Sequence, residues 1–299
     1  MAETLDNKLI IAISSQVLFD LSESNQIFET EGIDKYAQYQ RDHENNILAK
    51  GPGYRLVKKL LNIDKIQPCV EVVLMSRNSS DTGLRIFNSI EEHDLKITRA
   101  VFTSGRNPQR YAKAFGTHLF LSTNPEDVRD ALCNGLAAAT MKPKIHDDDQ
   151  DNSELRIAFD GDAVIFSDEA EQIFQAEGLE AFHKNEQSSA NTPLRTGPFY
   201  PFLYALKNLQ QKFIQPACPV RTALITARQA PAHERVIKTL RNWELRIDET
   251  LFLGGLDKTA VLKAFNADIF FDDQIHHCEK ASPHIPTAHV PSGIKNQGA

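Results

Sequence analysis

The chain has 299 residues, 41% hydrophobic and 24% charged, an ordinary globular composition that excludes disordered, collagen-like and coiled-coil classes. Its 33 Lys and Arg against 40 Asp and Glu leave a formal charge of −7, which argues against a general nucleic-acid backbone binder and leaves room only for a local basic pocket. Four cysteines without a CxxC pair, no basic leader before the first apolar run and no apolar run of bilayer length predict a soluble, cytoplasmic protein of about two domains with free thiols.

The N-terminal run Leu9–Ile13 reads as a first strand, and the stretch from Ile11 onward repeats later in the chain. Shifted by 146 positions, residues 11–60 fall onto 157–206 without a gap: Ile11-Ala12 meets Ile157-Ala158, Gln26-Ile27-Phe28 meets Gln172-Ile173-Phe174, and Gly51-Pro52 meets Gly197-Pro198. After a four-residue adjustment the match resumes, with Leu74-Met75-Ser76 on Leu224-Ile225-Thr226 and Lys113-Ala114-Phe115 on Lys263-Ala264-Phe265. A repeat this long is a domain, not a solenoid unit. The sequence therefore predicts a tandem duplication: residues 1–141, a linker at 142–153 and a second copy at 154–299. The linker is polar and acidic, and its Asp147–Asp149 run reads as solvated chain.

In the second copy, strands are predicted at Leu155–Phe159, Val220–Ile225, Thr250–Leu253, Asp268–Phe271 and Thr287–Val290. Helices are predicted at Glu169–Glu177, Pro198–Phe213 (with Pro198 as its first residue), Pro231–Trp243 and Lys258–Phe265. Near-continuously apolar strands separated by helices predict an α/β fold: a parallel sheet with helices on both faces. Such sheets bind ligands beyond the carboxyl ends of their strands, so the residues just after each strand carry the chemistry.

Four such strand ends stand out. Asp160-Gly161-Asp162 puts two carboxylates one residue apart, costly unless a cation neutralises them or one holds a proton. Gly161 permits close backbone approach; alone, the motif reads equally well as an Asx turn. Thr226-Ala227-Arg228 offers a hydroxyl and backbone N–H groups that suit a phosphate, or a plain helix cap. Lys258 opens a helix and can neutralise an anion. Asp272-Asp273 ends an apolar strand, expensive unless solvated or bound to a cation.

In order and placement, these four resemble the motifs of the haloacid dehalogenase superfamily of phosphotransferases: DxD, Thr, Lys, DD. The longer strings AFDGDAVIFSDE, TGP, LITAR and FFDDQIHH, with GPGY and VVLMSRN in the first half, resemble the cytosolic 5'-nucleotidase type I family. That resemblance implies two tandem haloacid-dehalogenase-like Rossmannoid domains, the second carrying a small helical cap at about residues 167–217. It implies a Mg²⁺-dependent nucleotidase acting on AMP or deoxynucleotides. Asp160 is then the nucleophile that forms an aspartyl-phosphate, and Asp162 is the general acid and later the base. Asp160, the Asp162 backbone carbonyl and Asp272 or Asp273 hold the ion, whose all-oxygen ligands suit Mg²⁺. Gly161, Thr226, Ala227, Arg228 and Lys258 hold the phosphoryl group.

The first copy serves as a control. It has Ser14 and Gln16 for Asp160 and Asp162, Ser76 for Thr226, Pro108 for Lys258, and Ser122-Thr123 for Asp272-Asp273. The acids are gone while the apolar framework persists, so the fold does not need them; this half reads as a pseudo-domain. Lys263 is a rival to Lys258, weakened because the first copy keeps Lys113 there. Phe166, Phe199 and Tyr200 are candidates to stack on a base, although aromatic residues at such spacing also build cores. His276-His277-Cys278 lacks zinc-ligand spacing. A phosphatase of sugar phosphates and a non-catalytic nucleotide sensor or scaffold are the alternatives. Homo-oligomerisation fits a protein of this size, and no nucleic-acid or membrane partner is expected. A nucleotide site in the first half would be regulatory, but its phosphate-binding positions are poor.

Overall fold

The computed structural model describes residues 4–143, 153–214 and 217–296; most of the 142–153 linker, with Asp147–Asp149, lies outside the described residues. Among them the strands are β1 (Leu9–Ile13), β2 (Val70–Ser76), β3 (Arg99–Phe102), β4 (Leu119–Ser122), β5 (Ala138–Met141), β6 (Leu155–Phe159), β7 (Val220–Thr226), β8 (Glu249–Phe252), β9 (Ile269–Asp272) and β10 (Thr287–His289). All belong to one sheet, in the order β3-β2-β1-β4-β5-β10-β9-β6-β7-β8. Every neighbouring pair is parallel except the joint between β5 and β10, where Ala288 faces Met141 and His289 faces Thr140. Outward from that joint, the two halves have the same order, β5-β4-β1-β2-β3 and β10-β9-β6-β7-β8. The two halves are thus joined in one sheet.

Burial explains the strand type. All residues of β1 and β2 are buried, and β6 is buried except at Arg156, as expected of parallel strands covered on both faces. On one face a continuous apolar core runs through both halves. The helices Tyr54–Ile66 and Tyr200–Gln210 contribute Leu56, Val57, Leu60, Phe202, Leu203 and Leu206 to it. The other face carries two separate cores, one around Phe120 and Val128 and one around Phe270 and Leu262. Across the halves, Lys59 Nζ pairs with Asp268 Oδ2 at 2.7 Å and donates to the Glu154 carbonyl at 2.8 Å.

Several predicted boundaries shift. The predicted Pro198–Phe213 helix is Tyr200–Gln210, with Pro201 and not Pro198 in its first turn; Pro231–Trp243 is His233–Asn242. Thr226 and Asp272 are the last residues of their strands rather than lying beyond them. The predicted Glu169–Glu177 helix runs on to Ser188, bent at Gly178, whose φ of +83° only glycine adopts without strain.

The cap needs two corrections. It ends before Phe199, because the Tyr200–Gln210 helix is buried in the shared core. Nor is it confined to the second half: helices Ser22–Glu31 and Ile33–Asp42, divided at Gly32 with φ +86°, occupy the same place in the first. Each insertion is pinched at its base by an antiparallel bridge, Phe19 to Lys50 and Phe166 to Thr196. Cys69, Cys133, Cys218 and Cys278 are free thiols. No helix among the described residues is long and apolar enough to cross a membrane.

Candidate active site

β6 ends at Phe159 and delivers Asp160 into the crevice between β7 and β9. The Asp160 N–H donates to the Phe271 carbonyl at 2.8 Å, which continues the sheet register and fixes the residue. The chain then turns sharply: Asp162 is extended and Ala163 has φ +58°. Gly161 runs beside Thr226, where an added Cβ would lie 3.4 Å from Oγ1. β9 brings up Asp272 and Asp273. One oxygen from each of Asp160, Asp272 and Asp273 lies within 4.8 Å of the others, and all three residues are buried.

Lys258, at the N-cap of the Thr259–Phe265 helix, reaches into this cluster. Its Nζ bonds Asp160 Oδ1 at 2.6 Å and Asp272 Oδ2 at 2.7 Å. Burial opposes its charge, yet the two carboxylates hold its pKa above the usual lysine value. Burial likewise works against Asp272, but Lys258 and a hydrogen bond from His277 Nδ1 at 3.0 Å bring it below the usual value. Asp160 is pushed up to about 6, by burial first and by Asp272 and Asp162, with Lys258 opposing. Asp273 is pushed up to about 9 by burial and by the charges of Asp160 and Asp272.

Of the three clustered carboxyl groups, Asp273 is the one that Lys258 does not bond. Its Oδ1 is buried with no hydrogen-bond partner among the described residues. An orphaned oxygen beside two other carboxylates, all hard oxygen donors, is what a small divalent cation requires. The residues fit Mg²⁺.

Thr226 is buried, and its Oγ1 accepts the Arg228 N–H at 3.2 Å. Ala227 is exposed, and its carbonyl accepts the Gly255 N–H at 3.1 Å, tying this loop to the one that leads to Lys258. The Arg228 side chain turns toward the second carboxylate of the strand end and the cap. It forks onto Asp162, Nε to Oδ2 at 2.9 Å and Nη2 to Oδ1 at 2.6 Å, and its Nη1 bonds Glu186. Glu186, fully buried on the cap helix, is shared with Arg235 at 2.9 Å, which also bonds Glu169. Arg228 is thus an anchor between Asp162 and the cap, its guanidinium already committed to two carboxylates.

The stacking candidates are corrected. Phe166 and Phe199 have no exposed surface. Phe199 packs on Phe271 with ring centroids 4.9 Å apart, and Phe166 against Trp243 at 5.6 Å. Half-buried Tyr200 packs edge-on to the same Trp243. The two phenylalanines are core aromatics and cannot offer a ring face to a ligand, while Tyr200 packs partly buried against the same core. Lys263 is exposed, and His277 serves Asp272 as a hydrogen-bond partner.

Sequence reasoning misses Glu186, Arg235 and His277 as contributors. The repeat holds a clue to two of them: Gln40 and Arg85 occupy the matching places in the first half and bond each other at 3.2 Å. There the charged Glu186–Arg235 pair has a half-neutral counterpart.

Comparison with known proteins covers the whole chain. The sequence model of the family described as 5'-nucleotidase matches residues 1–297. Cytosolic 5'-nucleotidase 1B of Homo sapiens is 40% identical over 288 residues, which make up 92% of this chain and 47% of that protein. The chain therefore spans about half the length of this curated relative. No solved structure matches it.

Proposed function

The chain belongs to the 5'-nucleotidase family, and from that premise we propose that it hydrolyses nucleoside 5'-monophosphates, AMP or deoxynucleotides among them, to nucleoside and phosphate. The observation that carries this reading is the buried triad Asp160, Asp272 and Asp273 with Lys258 bridging two of its members. The same order of residues resembles the haloacid dehalogenase superfamily. The identical strand order of the two halves, with the collinear repeat, supports a duplicated fold of that type in which only residues 154–299 keep the chemistry.

The residues suggest a two-step course. Asp160 Oδ attacks phosphorus; an oxygen–phosphorus bond forms to Asp160 while the bond to the ribose 5'-oxygen breaks, and Asp162 supplies the proton to that leaving oxygen. Water then attacks the phosphorus, Asp162 takes its proton, and the bond to Asp160 breaks to free phosphate. Lys258 and Thr226 would hold the phosphoryl oxygens, and Gly161 would let the backbone approach them. Asp160, the Asp162 carbonyl and Asp272 or Asp273 would hold Mg²⁺. When bound, the ion supplies positive charge that offsets the clustered carboxylates and the phosphoryl oxygens.

Cytosolic residence is proposed from the relative's name. The sugar-phosphatase and sensor readings find no specific support in the site.

The test is phosphate release from a panel of nucleoside monophosphates and ribose 5-phosphate, with Mg²⁺ or EDTA, for wild type and Asp160→Asn. Mg²⁺-dependent release from nucleotides that vanishes in the variant is the expected result. Release from ribose 5-phosphate alone moves the protein to the sugar phosphatases, and no release at all removes the enzyme reading.

A further inference from the structure

The ends of β1, β2 and β4 form the floor of a second cavity, of about 540 Å³, lying under the first-half cap helices. That is a usual size for a small-molecule site. Its floor carries hydroxyls and amides, Ser14, Gln16, Asn78 and Thr123, and its roof carries Phe28, Ile33 and Tyr36. Phe28 and Ile33 are 48% and 67% exposed, apolar surface left open beside the cavity.

Two atoms of the floor are unsatisfied. Ser14 Oγ and Asn78 Nδ2 are buried without a hydrogen-bond partner among the described residues. Asn78 Oδ1 accepts the Tyr36 hydroxyl at 3.0 Å, so the amide is oriented by the roof and its N–H₂ end is the one left over. A buried donor without an acceptor calls for one from a ligand.

The charge at this place differs from that of the second half. Pro108 stands at the position of Lys258, and Gln16 at that of Asp162. Arg77, the cation lining the cavity, is committed to Asp127 through Nε at 3.2 Å and to the Gly105 carbonyl through Nη1 at 3.0 Å. A phosphate dianion here would lose its hydration to an already neutralised guanidinium and to uncharged hydroxyls and amides, a poor exchange. A neutral molecule with several hydroxyls and a flat apolar ring meets complementary groups at both ends.

We propose that the first-half cavity binds a neutral, nucleoside-like ligand, its ring against Phe28, Ile33 and Tyr36 and its hydroxyls against Ser14 and Asn78, and discriminates against the phosphorylated form. The inference rests on this lining and not on the proposed hydrolysis, so either can fail without the other. It gives the half that lacks the acids a site of its own.

The experiment is calorimetric titration of the full chain in EDTA with adenosine and, separately, with AMP. Wild type, Ser14→Leu, Asn78→Leu and Thr226→Val are compared. Adenosine is expected to bind one saturable site, to be at least about tenfold weaker in Ser14→Leu and Asn78→Leu, and to be unchanged in Thr226→Val. AMP is expected to bind the wild-type site at least about tenfold more weakly than adenosine. Absence of saturable adenosine binding overturns the proposal, as does AMP binding more tightly at this site. So does an adenosine affinity that falls in Thr226→Val and holds in the first-half variants. Should a leucine variant fail to melt cooperatively, Asn78→Ala removes the amide without adding bulk and carries the same expectation.

Discussion

Arg228 grips Asp162 with a two-pronged bond, Nε to Oδ2 at 2.9 Å and Nη2 to Oδ1 at 2.6 Å, and both residues are held to the cap because the third guanidinium nitrogen bonds Glu186. A planar fork serves two carboxylates at once, which the point charge of a lysine cannot do. The residue proposed as general acid is thereby positioned from a helix 20 residues long that covers the crevice.

Arg228→Ala leaves Asp162 unpaired and Glu186 with Arg235 alone. The unfolding free energy is expected to fall by about 3 kcal/mol or more, as for other broken buried ion pairs, read by urea denaturation. Arg228→Lys is expected to keep the fold while lowering kcat by about tenfold, because one prong of the fork is lost. An unchanged kcat in Arg228→Lys would show that Asp162 needs no such anchor.

Asp160→Asn is expected to abolish phosphate release, by a factor of about 10³ or more, as the loss of a nucleophile does. The same variant removes a buried charge from a crowded cluster, so its thermal stability in EDTA is expected to equal or exceed that of wild type. Loss of activity with an unchanged or raised melting temperature separates a chemical role from a structural one.

Asp273 sets a pH dependence. Its pKa rises from the ordinary 3.8 to about 9 in the folded protein, so between those values the native state holds a proton that the unfolded state has released. Stability of the metal-free chain from this group therefore falls as pH rises from about 4 to about 9. Asp160, raised to about 6, acts in the same direction over the lower part of that window. Asp273→Asn is expected to flatten the curve of melting temperature against pH in EDTA. Mg²⁺ is expected to raise the wild-type melting temperature, by about 2.7 kcal/mol of stability at a hundredfold excess over Kd, and to do little for Asp273→Asn.

Lys59 crosses from one half to the other to meet Asp268, which is fully buried, at 2.7 Å. Lys59→Met is expected to destabilise the chain by about 3 kcal/mol, because a buried carboxylate loses a partner. Arg55 Nε, 3.0 Å from the other oxygen, moderates the loss. Since the pair ties both halves together, a biphasic urea transition in the variant is the signature to look for, against a single transition in wild type.

The legible part of this fold is local. The apolar runs and the carboxylates at their ends are neighbours in sequence, so Leu155–Phe159 with Asp160 and Ile269–Phe271 with Asp272 can be read as strands feeding a crevice. The Arg228–Asp162 fork cannot, because 66 residues separate its members and nothing local tells an arginine which anion it will meet. The Ser22–Asp42 insertion stays hidden because its two helices bury few side chains, Ser24 and Gln40 among them, and so show little apolar periodicity. Phe166 and Phe199 are misplaced for the opposite reason: large aromatics serve a core and a ligand equally well, and only burial decides between the two. The single sheet is concealed by the brevity of β5 and β10, four and three residues long.

That short antiparallel seam has a consequence for how this chain can be divided. Severing residues 1–141 from the rest would bare the backbone N–H and C=O groups of β10 along one flank and those of β5 along the other, each a ready template for adding a foreign strand. It would also strip one side of the apolar core that runs across both halves. The second half, made alone, is expected to self-associate through that bared flank rather than stand as a soluble monomer. The first half then persists in the chain as a permanent strand donor, a duty that needs none of the carboxylates missing from the positions of Asp160, Asp162, Asp272 and Asp273.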